Sequence, residues 1–121
     1  MTLDEVEAEL RAILVPYEDE LETAEIYGME VVRRPGAKAH DWFAGVQQVN
    51  GAVKFNFLPM HGHPDLLAGC SPALLKLRTG ASVFKITALD DVLIEDLEAL
   101  ASRGFEVYMS AGKPVRKPAQ R

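Results

Sequence analysis

The sequence reads as an α+β domain, an antiparallel β-sheet with helices packed on one face. Three observations lead there. Apolar residues recur at helical spacing from Leu3 to Tyr17, switch to a period of two beyond Gly28, and return to helical spacing after Asp90. Asn50-Gly51 stands between two alternating runs, the commonest signature of a tight hairpin, because both central residues need positive φ. The chain has 121 residues, of which 48% are apolar and 26% charged, enough for one hydrophobic core and unlike a disordered or membrane composition.

Thr2-Leu3-Asp4-Glu5 fits a capping box, so a helix starts here. Leu3, Val6, Leu10, Ile13, Leu14 and Tyr17 form its apolar stripe, leaving Asp4, Glu7 and Arg11 toward water. Pro16 cannot donate to the helical ladder and disfavours helical geometry at Val15, so the helix ends or kinks there. Tyr17 through Ala24 is expected to form a second, shorter helix that turns Leu21 and Ala24 inward. Met29 to Arg33 reads as a strand, and Pro35-Gly36 supplies the central residues of a type II turn leading to a hairpin.

Trp42 to Gln48 and Val53 to Leu58 flank the Asn50-Gly51 turn. A two-residue loop pairs Val49 with Ala52, Gln48 with Val53, Val46 with Phe55 and Ala44 with Phe57. Trp42, Ala44, Val46, Val53, Phe55 and Phe57 then share the inner face, and Gln47, Lys54 and Asn56 the outer one. Sliding by one residue would bury Lys54. In the same register Phe43 and Leu58 fall on the outer face, an apolar spot suited to a partner or to a second copy in a homodimer.

Pro59 to Pro64 is a loop by composition, followed by a helical turn from Pro64 to Ala68 that Gly69 stops. Ser71-Pro72 caps and starts a helix through Leu74, Leu75 and Leu77 that Gly80 terminates. Val83 to Ile86 is a strand. Asp90 or Asp91 caps a helix with Leu93, Ile94, Leu97, Leu100 and Ala101 on its apolar face, stopped at Gly104 with Phe105 packing back on Leu100. A short strand over Val107 to Met109 completes a domain of residues 1–109. Residues 110–121 carry Lys113, Arg116, Lys117 and Arg121 with no acid, and are expected to be a flexible basic tail.

Several stretches carry a family likeness: Ile26-Tyr27-Gly28-Met29, Val53 through Met60, Pro64-Asp65-Leu66-Leu67, Ser71 through Lys76, and Arg103-Gly104-Phe105. In this order and spacing, over most of residues 3–108, the chain resembles the YdhG-like family of small bacterial domains of unknown function. That resemblance implies a YdhG/YjbR/CyaY-like α+β fold. It also implies a role like that of members labelled frataxin-type intracellular iron chaperones. His61 and His63 stand where the family more often has aromatic or apolar residues, so any metal role for them would be particular to this chain.

His61, His63 and Asp65 lie at two-residue spacing with Cys70 five residues on, a mixed imidazole, carboxylate and thiolate set suited to iron or zinc. The alternative is a solvated loop in which His63 or Asp65 caps the next helical turn. Asp4, Glu5, Glu7, Glu9, Glu18, Asp19, Glu20, Glu22 and Glu25 face only Arg11 as a base across residues 4–25. Such a ridge either holds iron loosely through oxygen ligands or serves solubility. Cys70 precedes the Ser71 cap, where a helix dipole would favour a thiolate; packing as a small buried residue is the alternative. Trp42, Phe55 and Phe57 either line a small-ligand pocket or fill the core.

Thirteen Lys and Arg against eighteen Asp and Glu give a net charge of −5, which argues against binding nucleic acid phosphates. No apolar run reaches the length of a membrane helix. A lone cysteine and an acidic rather than basic opening point to the cytoplasm. No strong catalytic motif stands out, which argues against an enzyme, and the resemblance implies a metal-binding or iron-chaperone role. The rival is a non-catalytic module that holds a small ligand or a protein partner on its sheet.

Overall fold

The computed structural model describes residues 2–26, 28–38 and 41–111. The capping box forms as the sequence requires: Glu5 N–H donates to Thr2 Oγ1 at 3.1 Å and Thr2 N–H to Glu5 Oε1 at 2.7 Å. Helix α1 (Leu3–Leu14) follows and buries Val6, Leu10, Ile13 and Leu14. At Pro16 the chain tightens into a 3-10 turn, Val15–Glu20.

The expected helix from Tyr17 to Ala24 is replaced by that turn and by strand β1 (Glu22–Ile26). Strand β1 pairs antiparallel with β2 (Met29–Arg33), from Ile26 opposite Met29 to Glu22 opposite Arg33, around Gly28 at φ +78°. The physical reason lies in the period. Once Leu21 packs on the core, the following residues alternate between faces, and five residues cannot make a helical apolar stripe. Beyond β2 the type II turn forms, with Ala37 N–H donating to the Arg34 carbonyl at 3.0 Å and Gly36 at φ +78°.

Strands β3 (Ala44–Val49) and β4 (Ala52–Phe57) meet at Asn50 (φ 51°) and Gly51 (φ 82°), the positive pair of a type I′ turn. Their register is the one the turn dictates, Val49 opposite Ala52 through Ala44 opposite Phe57. Ala44, Val46, Val53, Phe55 and Phe57 are buried in the core, while Gln47, Lys54 and Asn56 are half-buried on the other face. The sheet is completed by β5 (Arg78–Gly80) and β6 (Val83–Ile86) in the order β1-β2-β3-β4-β6-β5, antiparallel throughout. Helices α1 and α4 (Asp91–Ala111) pack over one face, enclosing Phe55, Phe57, Phe84 and Ile86 against Leu10, Leu97 and Leu100. The architecture is the α+β arrangement expected.

Between β4 and β5 run three short pieces: α2 (Pro59–Gly62), a 3-10 turn (Pro64–Gly69) and α3 (Pro72–Leu75). Pro59 to Pro64 is therefore partly helical, because Met60 is drawn into the core. Ser71 caps α3 through Leu74 N–H at 3.3 Å, but α3 is a single turn. It stops short of Leu77 because the Leu77 carbonyl accepts from Lys85 N–H of β6 at 2.8 Å and the chain enters β5. Asp90 caps α4, its Oδ1 accepting from Leu93 N–H at 2.8 Å.

Two further corrections define the functional region. Helix α4 does not end at Gly104 and no strand forms over Val107 to Met109; the helix continues to Ala111. Gly104 is buried against the Phe57 ring, where a Cβ would stand 2.7 Å from Cε2 and closer still to Cζ. This glycine provides room for a close helix-to-sheet approach. Phe43, expected on the outer face with Leu58, is fully buried. It precedes β3, so strand alternation does not bind it: its N–H donates to the Val32 carbonyl at 2.8 Å and its carbonyl accepts from Leu58 N–H at 3.2 Å. Its ring enters an aromatic cluster with Tyr17, Phe57, Phe105 and Tyr108 at centroid distances of 5.7, 5.3, 5.5 and 5.6 Å. The outer-face apolar spot of Phe43 and Leu58 is thus not formed. Trp42, expected inside, is half-buried instead. The basic residues Lys113, Arg116, Lys117 and Arg121 lie outside the described residues.

Candidate functional site

The burial of Phe43 and the continuation of α4 together create a cleft. It has a volume of about 260 Å³ and opens where residues 41–42, the α2 segment and the last turns of α4 meet. Trp42, Leu58, Pro59 and Val107 give it apolar walls. Asp41, Tyr108, His61 and His63 supply polar groups. Of the aromatic residues considered for a pocket, only Trp42 lines it; Phe55 and Phe57 are wholly in the core.

Behind the cleft a polar network fixes its geometry. Tyr108 OH donates to the Asp41 carbonyl at 2.8 Å and accepts from Arg34 N–H at 2.9 Å. The Arg34 guanidinium lies over the Tyr108 ring, 4.2 Å from its centroid, donates to the Tyr108 carbonyl at 2.6 Å and pairs with the Asp41 carboxylate. A cation at the last carbonyls of a helix also complements the helix dipole. Burial is the main cause that pushes the Tyr108 hydroxyl pKa upward, opposed by its bond from Arg34 and by the nearby charge. Tyr108 therefore acts as a neutral strut between the loop and the helix.

The four residues selected as metal ligands are divided by the fold. His61 and His63 both line the cleft and are exposed. Asp65 is exposed on the following 3-10 turn, outside the cleft lining. Cys70 is half-buried, its sulfur 3.8 Å from Nη2 of Arg103 on α4. Among the described residues no group of three or more His, Cys, Asp or Glu side chains is placed to hold a metal ion. His63 precedes the 3-10 turn without a capping bond from its side chain.

Of the two readings of Cys70, its surroundings favour packing over an activated thiolate. Desolvation raises the thiol pKa, and the Arg103 charge offsets this only in part. The helix after Cys70 is a four-residue turn, too short to supply much of a dipole. Its neighbours are structural: Arg103 donates to the Leu66 carbonyl at 2.9 Å, and Asp96 accepts from Ser71 N–H at 2.9 Å, tying the 3-10 turn and α3 to α4.

The acidic ridge is a real surface feature. Asp4, Glu5 and Glu9 on α1, Glu18, Asp19 and Glu20 on the 3-10 turn and Glu25 on β1 are exposed. Arg11 bridges Glu7 at 2.8 Å and Glu30 at 3.4 Å, and the Gln48 amide donates to Asp4 and Glu7 at 3.0 Å each.

Asp41, Arg34 and Tyr108 were not among the residues selected from the sequence. Tyr108 lies 74 positions from Arg34, so no local spacing joins them. A signal for the helix itself was present, since Leu97, Leu100, Ala101, Phe105 and Tyr108 continue the three-and-four spacing across Gly104. In comparisons with protein-family models, with curated proteins and with solved structures, nothing matches this chain.

Proposed function

We propose that this chain is a non-catalytic binding module, of the YdhG-like kind its sequence resembles, that holds a small ligand in the cleft beside Trp42. One observation carries this reading. The cleft combines apolar walls with a few polar groups, and a part-buried network of Arg34, Asp41 and Tyr108 ties together the segments that border it. Cys70, the strongest nucleophile of the chain, faces Arg103 with a raised pKa and does not line the cleft, which supports binding over thiol chemistry there. The test is a thermal-shift screen of small metabolites. At least one compound is expected to raise the melting temperature of the native chain and to lose that effect in Trp42→Ala. A screen without stabilisers, or a stabiliser indifferent to Trp42, would refute the reading.

A second reading, the frataxin-type one, is favoured by the exposed acids of α1 and the 3-10 turn, which stand close in sequence with few bases among them. Loosely held ferrous iron would use exchangeable carboxylate oxygens there and would leave the cleft unused. Anaerobic titration with ferrous iron separates the two. Iron uptake that is lost in Glu18→Gln/Asp19→Asn/Glu20→Gln supports the ridge, and the absence of uptake removes it.

A further inference from the structure

We infer that the free edge of β1 is a strand-addition site for an extended partner segment that alternates basic and apolar residues. The two ends of the sheet make the first argument. In the order β1-β2-β3-β4-β6-β5 the outermost strands are β1 and β5. Strand β5 is blunted: it has three residues, and its register with β6 shifts between Arg78 and Gly80. Strand β1 has five residues in unbroken register with β2, with neither proline nor lysine to interrupt the edge. A two-residue loop makes Ile26 and Met29 a hydrogen-bonded pair, so bonding to β2 falls on Glu22, Ala24 and Ile26. The Val32 carbonyl agrees with this parity: it lies opposite Thr23 yet accepts from Phe43 N–H on its other side. The N–H and C=O groups of Thr23 and Glu25 therefore point outward, to a position that no described strand occupies.

Side chains define the occupant. Thr23 and Glu25 share one face of β1 and are exposed, whereas Ala24 and Ile26 turn to the other face, half-buried and buried. Glu25 lies directly opposite Glu30. Like charges so placed repel, and Arg11 answers only Glu30, at 3.4 Å. Among the described residues no cation pairs with Glu25. Glu18, Asp19 and Glu20 stand exposed just before the strand. A second copy of β1 would add another set of these acids along the seam. A Lys or Arg beside Glu25 relieves its repulsion by Glu30, and apolar residues at the alternate positions meet Ala24 and Ile26. In such an addition the main-chain bonds supply affinity and the side-chain alternation supplies specificity.

The probe is fluorescein-labelled Lys-Val-Lys-Val-Lys-Val, titrated with the native chain and followed by anisotropy. It is expected to bind at a concentration about tenfold or more below Glu-Val-Glu-Val-Glu-Val. A fully N-methylated copy of the basic peptide keeps every side chain and has no N–H, and is expected not to bind. Glu25→Lys should remove the preference for the basic peptide without lowering the melting temperature, because this side chain is exposed. Amide exchange followed by NMR reads the edge itself: the basic peptide should slow exchange at Thr23 and Glu25 and leave Ala24, already bonded to β2, as it was. Absence of binding by the basic peptide, equal affinity for the two peptides, or affinity that survives N-methylation overturns the inference. So does protection of the Thr23 and Glu25 amides in the chain alone, which would mean that a second copy or another part of this chain holds the edge.

Discussion

Gly51 and Gly104 border the same sheet, and they do opposite jobs. At Gly51 the backbone is at φ 82° and a Cβ would meet nothing within 4 Å. At Gly104 the backbone is helical, and the constraint is the Phe57 ring a Cβ would overlap. The first glycine is required by a dihedral angle, a property of two adjacent residues. The second is required by a ring 47 positions away, and its role is invisible to any reading that treats glycine as a stop signal. A residue selected for torsion can be read locally; a residue selected for space can be read only after its neighbour is known.

The tertiary side of this contrast is broken most severely by Phe43→Ala, which empties the centre of the aromatic cluster and is expected to cost about 3–5 kcal/mol in urea unfolding. It should also abolish ligand effects at the cleft, because residues 41–42 lose their anchor. Gly104→Ala comes next. Propensity alone would make it stabilising by about 1 kcal/mol in a helix interior, whereas the Phe57 contact predicts a loss of about 1–3 kcal/mol. The sign of the change in the urea midpoint decides between them. Adding Phe57→Leu sharpens the contrast: it should couple to Gly104→Ala by about 0.5 kcal/mol or more, and be additive with Gly51→Ala. Gly51→Ala itself is expected to cost about 1–2 kcal/mol for the left-handed backbone, with no change at the cleft.

The smallest effect concerns Cys70. Its folded pKa is raised above the ordinary thiol value of 9.0, so the folded chain holds that proton more tightly than the unfolded one. The associated stability is complete below pH 9 and is lost as pH rises from there through the raised folded value. The urea midpoint of Cys70→Ser should therefore decline less than that of the native chain between pH 8 and pH 10.5, and an equal decline would contradict burial of the thiol.

Much of the fold was legible because its signals are short-range. Thr2 and Glu5 lie three residues apart, and the Asn50-Gly51 turn specifies a register that carries Val46 to Phe55 and Ala44 to Phe57. The misreadings share one cause. Tyr17 to Ala24, Phe43 and Gly104 each obey a partner distant in sequence: β2 for Glu22–Ile26, the cluster of Tyr17, Phe105 and Tyr108 for Phe43, and Phe57 for Gly104. The candidate site was half legible. His61 and His63 were selected and do line the cleft, whereas the grouping with Asp65 and Cys70 rested on spacing alone, and the 3-10 turn between them points these residues to different neighbours.

By itself the sequence determined which segments are helical or extended over most of the chain, where the central hairpin turns and which of its faces is apolar. Those properties follow from backbone torsion, capping and alternation, all of which act over a few residues. The tertiary structure alone decided that Phe43 turns inward, that α4 runs past Gly104 to Ala111, and that Arg34, Asp41 and Tyr108 lock together behind a cleft. Close packing couples residues through volume and through unsatisfied polar groups, and neither has a period along the chain.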